Sequence, residues 1–589
     1  MKIVNKYFLT GLFCLLIVCA GAQAQDIVPV NRDSVPDTVR TVKQDTVSVK
    51  QDTIPVKTDT ASVEPLKKIQ PVMEQDTISR KGETLTADTV TTKKTLVYLL
   101  HADTVSYDKD VMKADAQFLE GNVSFRHDSS YMYCDSAYFF ETTNSLEAFS
   151  NVRMEQGDTL FVYGNYLFYD GNTQIAYLRE NVRMENGEVT LFTDSLNYER
   201  IPDIGYYFEG GLIVDSLNQL SSFYGQYSPG TKLAIFNDSV RLENPNFTLY
   251  SDTLHYDTES KIATILGPSI IVSDSGTIHS SRGWYNTETS TALLLDQSEI
   301  YSGDKILIGD SIAYDRDAGF GEAFGNMCLR DTAQKVMLEG QYGFYNERTE
   351  YAFATDSARF LEFSQGDTLY LHADTLEMTT LDSTAREIKA FHGVRFYRTD
   401  MQGVCDSMQF NTRDSILYMY DDPILWNEQY QISGDTIVIY MNDSTIDYAH
   451  VIQYAFAVQH LDSSYYNQLK GNDLKAYFEG QTVRQIDVEG NAESIFYPLD
   501  NGAMIGLNET KSGFLTIWVK DNALERLKIW PSPQGSLTPI PDLKPEQKTL
   551  KDFYWFDYLR PKNKDDIYHV IRKKVEDAPV RSNKFKHEQ

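Results

Sequence analysis

One short pattern, Asp-Ser/Thr-apolar-x-aromatic, returns along this chain and constrains its fold more than any other feature. It stands at Asp103-Thr104-Val105-Ser106-Tyr107, Asp135-Ser136-Ala137-Tyr138-Phe139, Asp194-Ser195-Leu196-Asn197-Tyr198, Asp252-Thr253-Leu254-His255-Tyr256 and Asp310-Ser311-Ile312-Ala313-Tyr314. Weaker copies begin at Asp374, Asp406 and Asp435, and variants such as Gly164-Asn165-Tyr166-Leu167-Phe168 and Gly340-Gln341-Tyr342-Gly343-Phe344 lie between the strong ones. Together the anchors advance in steps of about 27 to 34 residues, which marks a stacked repeat and not a string of independent domains. A second anchor falls between them, at Gly121-Asn122-Val123, Ser150-Asn151-Val152, Glu180-Asn181-Val182, Gly325-Asn326-Met327 and Gly490-Asn491-Ala492.

Aligning Asn151 with Asn181 sets Leu146, Ala148, Val152 and Met154 over Ala176, Leu178, Val182 and Met184, with Arg153, Glu155, Arg183 and Glu185 at the intervening positions. A period of two means strands, and enrichment in Thr, Val, Tyr and Gly argues against helices throughout. After the turn at Gln156-Gly157-Asp158 the next strand is expected to carry Leu160, Val162, Gly164, Tyr166 and Phe168 on one side, with Gly164 as a bend. Each repeat is then a hairpin of two long strands folded at their middles, and successive hairpins stack into an elongated two-sheet wedge.

Residues 1–24 read as an export signal: Lys2 and Lys6 precede an apolar run from Phe8 to Ala20, and Ala22-Gln23-Ala24 is a small-x-small cleavage site. Lipidation at Cys19 is the alternative, with the bulky Val18 against it. Residues 25–95 form an Asp/Thr/Pro/Lys-rich linker whose Asp-Ser/Thr-apolar triplets read either as solvated tether or as acceptors for O-linked sugars. A formal charge of −30 argues against binding nucleic acid. Beyond the leader only Cys134, Cys328 and Cys405 remain, too few for a disulfide framework. Cys134 and Cys405 hold equivalent places in distant repeats and so should stay unpaired.

Over roughly residues 97 to 500 the repeats resemble the OstA/LptA-like family of periplasmic lipopolysaccharide transport proteins. The features that match are the Gly121-Asn122-Val123-Ser124-Phe125 anchor and the Asp/Gly-x-apolar-x-aromatic strand after each turn. The chain is much longer than a compact member and leaves too little sequence after the repeats for a transmembrane β-barrel. The resemblance implies an all-β, elongated, bent-strand jelly roll of about 13 stacked hairpins with an open apolar groove, a body on the order of 125 Å long. It also implies a cargo, lipopolysaccharide or a related glycolipid, and partner jelly-roll transport components joined by addition at the strand edges. The groove would be lined by Leu146, Val152, Met154, Leu160, Val162, Tyr166, Phe168, Leu178, Val182 and Met184. An open apolar lane of that size needs an occupant, and acyl chains suit it; the other reading is that the wedge closes and these side chains fill its core.

The bend anchors Asp103, Asp135, Asp194, Asp252 and Asp310 read either as a carboxylate row for a divalent cation or, with more weight, as groups bonding their own backbone. The fragment Asp315-Arg316-Asp317-Ala318-Gly319 lacks the remaining ligands of a calcium loop. No metal or cofactor is expected. Carboxylates come once per repeat with no singular constellation, and neither His-Glu-x-x-His nor Gly-x-Ser-x-Gly occurs, so catalysis is the weaker reading beside a carrier or an adhesive scaffold. Residues 501–557, rich in Trp and Pro, break the repeat and are expected to cap its end, leaving the edge near Tyr98 for docking. Residues 558–589 form a basic tail suited to anionic head groups or to a neighbouring acidic repeat.

Overall fold

The computed structural model describes residues 95–574, apart from 108–115, 364–366, 383–384, 443–445, 463, 480–481, 501–502 and 521–522. The leader, the linker up to residue 94 and the end of the tail lie outside the described residues. Within them, 42 strands join in one antiparallel sheet, and the helical elements are single 3₁₀ turns near the C-terminus. The first strands are Tyr98–His101 (β1), Thr104–Ser106 (β2), Gln117–His127 (β3), Ser130–Phe140 (β4), Ser145–Gln156 (β5), Leu160–Asp170 (β6), Ile175–Asn186 (β7) and Val189–Glu199 (β8). The all-β stack read from the repeats is the fold.

Each long strand bends at its middle. In β5 the bend is Ser150-Asn151, both left-handed with φ of 60° and 50°, and two residues there oppose one on β6, so the register slips between Phe149 and Val152. The same pair recurs as Glu180-Asn181, Asp238-Ser239 and Asp296-Gln297. Short polar residues tolerate this conformation because their side chains bond locally. Glycine is required at Gly325, where φ is 71° and a Cβ would lie 2.6 Å from the Asp310 carboxylate.

The bend divides the sheet into two arms that face each other with the apolar side chains between them. Phe125 of one arm touches Phe139 of the other, with ring centroids 5.5 Å apart. The bends form the spine of the wedge. The hairpin turns at the far ends form two lips, one near residues 128, 157, 187, 215, 245, 274 and 303, the other near 143, 172, 201, 230, 260, 288 and 317.

The C-terminal region departs from the expected cap. Gly506–Lys520 pairs with both Ala523–Trp530 and Gln534–Pro539, and among the described residues neither of those strands has a further partner. β1 and β2 likewise pair only with β3, so unpaired edges remain at both ends of the stack. Residues 548–568 run back along the outer face of one arm. Gln468 accepts from the Leu550 N–H (2.8 Å) and donates to the Lys548 carbonyl (2.8 Å), while Gln431 accepts from the Phe556 N–H (2.7 Å) and donates to the Tyr554 carbonyl (3.0 Å). Further along, Arg560 donates to the Gln402 side chain (2.7 Å) and Arg395 to the Leu559 carbonyl (3.0 Å). The strap covers Ile424, Trp426, Phe456 and Val458, which explains why strands in this stretch are apolar on both faces.

Candidate functional site

One buried apolar cluster runs through the interior from Val97 to Val519. Leu146, Val152, Met154, Leu160, Val162, Leu178, Val182 and Met184 all point into it and are at most 4% exposed. The expected open groove is closed: the facing side chains pack together, and two interior cavities, beside Ile278–Tyr285 and beside Leu307–Tyr345, hold about 10 Å³ each, room for a single water.

Tyr166 and Phe168 are not part of the lane. Both are half-buried on the outer side, and Leu167 and Tyr169 take the inward positions. The extra residue at Ser150-Asn151 lets β5 keep its inward parity across the bend, while β6, one residue shorter there, changes parity after Gly164. Tyr166 instead packs against Phe149 outside, with centroids 5.5 Å apart and the rings tilted by 59°.

Four of the five bend carboxylates accept hydrogen bonds across the strand pair. Asn122 donates to Asp103 (2.9 Å), Asn151 to Asp135 (2.7 Å) and Asn326 to Asp310 (2.8 Å), and the Asn181 N–H reaches Asp194 at 3.3 Å. Asp252 lies opposite the equivalent Asp238-Ser239 bend. The two recurrent sequence anchors are thus the two halves of one contact. Among the described residues no cluster of His, Cys, Asp or Glu could hold a metal ion.

The mouth of the wedge was not anticipated. Tyr169, Tyr198, Tyr227, Tyr256, Tyr285 and Tyr314 recur every 29 residues, point inward beneath the lips and are 0–6% exposed. Above these rings the lips meet in polar contacts between residues 31 to 69 apart in sequence. Tyr169 Oη lies 2.6 Å from His127 Nδ1, and Arg200 donates to Tyr169 Oη (2.7 Å) and to Gln156 (3.3 Å). Lys232 donates to Asn186 (3.1 Å), and Lys261 Nζ lies 3.0 Å from Asp215 Oδ2. Asn218 donates to Tyr256 Oη (2.7 Å) and to Thr287 (3.0 Å), and Lys305 pairs with Glu350 at 2.8 Å.

Burial sets the charges in this seam. It pushes the His127 imidazole below its ordinary value, helped by the Arg200 guanidinium, so the ring is neutral near pH 7. Burial opposes ionisation of Asp215, but hydrogen bonds from Tyr256, Leu217 N–H, Lys261 and Asn218 N–H outweigh it and hold the carboxyl below its usual range. The sequence signal for the seam was the tyrosine recurring every 29 residues, followed in four of the six cases by a cation two residues on (Arg200, Arg316) or five residues on (Lys232, Lys261).

Residues 94–252 match the family model of OstA-like proteins. The stack of strands continues well beyond the matched residues. Among solved structures, a similar chain is LptH, the LptA-homologous periplasmic component of the lipopolysaccharide transport device of Pseudomonas aeruginosa. It is 10% identical, with a TM-score of 0.18, over 23% of this chain and 93% of that one. No curated protein matches.

Proposed function

We propose that this OstA-like protein is a periplasmic carrier that takes acyl chains of lipopolysaccharide or a related glycolipid into its interior lane and passes them toward the outer membrane. The observation that carries the reading is how the lane is closed. Its walls are apolar and repeat rung after rung, and the lips above them are joined by hydrogen bonds and ion pairs.

Such a closure can part. Each hydrogen bond contributes about 0.5–1.5 kcal/mol net, whereas burying one methylene contributes about 0.8 kcal/mol. An acyl chain of ten or more carbons therefore offsets the loss of several seam contacts. Equivalent rungs let a chain slide without returning to water. The unpaired edges at β1–β2 and at Gln534–Pro539 suit strand addition by partner jelly rolls. The sequence leader supports export.

A second reading, a β-scaffold without cargo, is favoured by the packed interior itself. Photocrosslinking separates the two. Probes at Val152, Val162 and Val182 should label glycolipid in cells, and probes at the outward Arg153 and Arg183 should not. Equal labelling of both sets, or none, supports the scaffold.

A further inference from the structure

An outer trough belongs neither to the lane nor to the strap. On five neighbouring strands, Leu233–Asn244, Phe247–Asp257, Ser269–Ser273, Gly276–Ser280 and Thr291–Ser302, the residues Arg241, Tyr250, Ile270, His279 and Glu299 stand opposite one another in a row. Their chain neighbours Leu242, Leu249, Ile271, Ile278 and Ile300 are buried in the interior cluster, so the row faces outward. The row and the bends beside it line a solvent-open trough of about 710 Å³.

The trough exists because the spine is interrupted here. Phe247–Asp257 pairs with Ser269–Ser273 through residues 247–251 and with Ile262–Ile265 through residues 254–257, which leaves Leu266-Gly267-Pro268 in neither strand. Pro268 has no N–H to give to a ladder. The bend contact is missing as well. In three other rungs an asparagine at the bend donates to the anchor carboxylate, but Ser239 and Gln297 hold that place here. Among the described residues the Asp252 carboxylate and the Gln297 amide make no hydrogen bond.

What is left unengaged defines the ligand. Arg241 pairs with Glu243, Asp296 pairs with Arg282 at 3.0 Å, and Glu299 accepts from Tyr301. The one guanidinium lining the trough is thus already matched, and an anion finds no receptor. Free to act are an acceptor on Asp252, the two-sided amide of Gln297 and the Ser281 hydroxyl, set around a Tyr250 ring that is 45% exposed and an Ile270 that is 41% exposed. Mixed donors and acceptors suit hydroxyls, which do both, and an exposed ring suits the flat apolar face of a pyranose.

We propose that this trough binds a neutral oligosaccharide, with one sugar ring lying on Tyr250 and its hydroxyls bonding Asp252 and Gln297. The trough is on the opposite side of the sheet from the lane, so the inference does not rest on the carrier reading.

The test is titration calorimetry of the full-length protein with tri-N-acetylchitotriose, maltotriose and trilysine. At least one of the two trisaccharides should bind, with a Kd on the order of 1 mM for so open a site. Tyr250→Ala and Asp252→Ala should each weaken it about tenfold, the size of one stacked ring or one hydrogen bond to a charged group. Tyr250→Phe keeps the ring and should bind as wild type, which separates loss of the platform from loss of fold. Binding of neither trisaccharide, or binding that survives both alanine variants unchanged, overturns the inference. Trilysine binding more tightly than either sugar, and lost in Asp252→Ala, overturns it in favour of a cationic peptide.

Discussion

Lys261 and Asp215 meet at 3.0 Å across the mouth of the wedge, from opposite lips and 46 residues apart in sequence, with the Asp215 side chain wholly buried and the Lys261 side chain 12% exposed. Removing one partner of a buried pair leaves the other uncompensated and costs about 3–5 kcal/mol. Asp215 retains Tyr256 and the N–H groups of Leu217 and Asn218, so the lower end of that range is expected for Lys261→Met. Stacked repeats open locally. The effect should therefore be read by hydrogen exchange, as faster exchange in residues 211–265 with residues 145–186 unchanged. Uniform acceleration along the stack would contradict the local picture.

The bend contacts give a sharper test of geometry. Gly325→Ala places a Cβ against Asp310 in a left-handed conformation, so it should destabilise more than Asn326→Ala, which loses one exposed hydrogen bond. About 1–2 kcal/mol is expected for the backbone conformation alone. Adding Asp310→Gly to Gly325→Ala removes the obstructing carboxylate and should recover part of the loss in thermal melting. A double variant no better than Gly325→Ala would show that the carboxylate is not what requires glycine.

How far the fold was legible follows from the bend. Val152 and Met154, on a strand whose inserted residue preserves parity, were placed correctly by simple alternation. Tyr166 and Phe168 were not, because one unpaired residue on the neighbouring strand turns every later side chain over, and alternation cannot register a slip that occurs in its partner. The Asp and Asn anchors were both visible, but their contact joins different strands and needs the register to be seen. The tyrosines at 29-residue spacing were legible as repeat markers. Their place beneath the lips depended on which strand halves face each other. Nothing local in Gln402, Gln431 or Gln468 distinguishes a side chain that grips a returning strap from an ordinary exposed amide.

The strap predicts a failure mode of its own. Ending the chain at Gln547 would remove Leu550, Phe553, Trp555, Phe556 and Leu559 and uncover Trp426, Ile424, Phe456 and Val458. The truncated protein should bind a hydrophobic dye and self-associate, with residues 145–199 still protected from exchange. Gln431→Leu keeps the chain length but leaves the Phe556 N–H and Trp426 Nε1 without their acceptor, a cost of about 1–3 kcal/mol each if both stay buried. Proteolysis within residues 548–560 should become faster in that variant. Protection equal to wild type would show that the glutamine does not hold the strap.

Acid should loosen the first part of the seam before the rest. His127 is buried with its pKa held below the unfolded value, by burial first and by Arg200 second. The unfolded chain therefore binds a proton that the folded chain resists, and stability falls as pH drops below about 6.5. The contribution is fully present above that pH. Asp215, whose folded pKa is depressed, loses its contribution only further down, as pH falls through the value it has in the folded state, below the ordinary carboxylate range. Between about pH 7 and 5, exchange should therefore accelerate around residues 117–170 while the Asp215–Lys261 section at 211–265 stays protected. His127→Gln keeps a neutral polar group at the position and should flatten the dependence in the first section alone. If the two sections respond together, the seam opens as one unit and not rung by rung, which would rule out stepwise passage of an acyl chain beneath it.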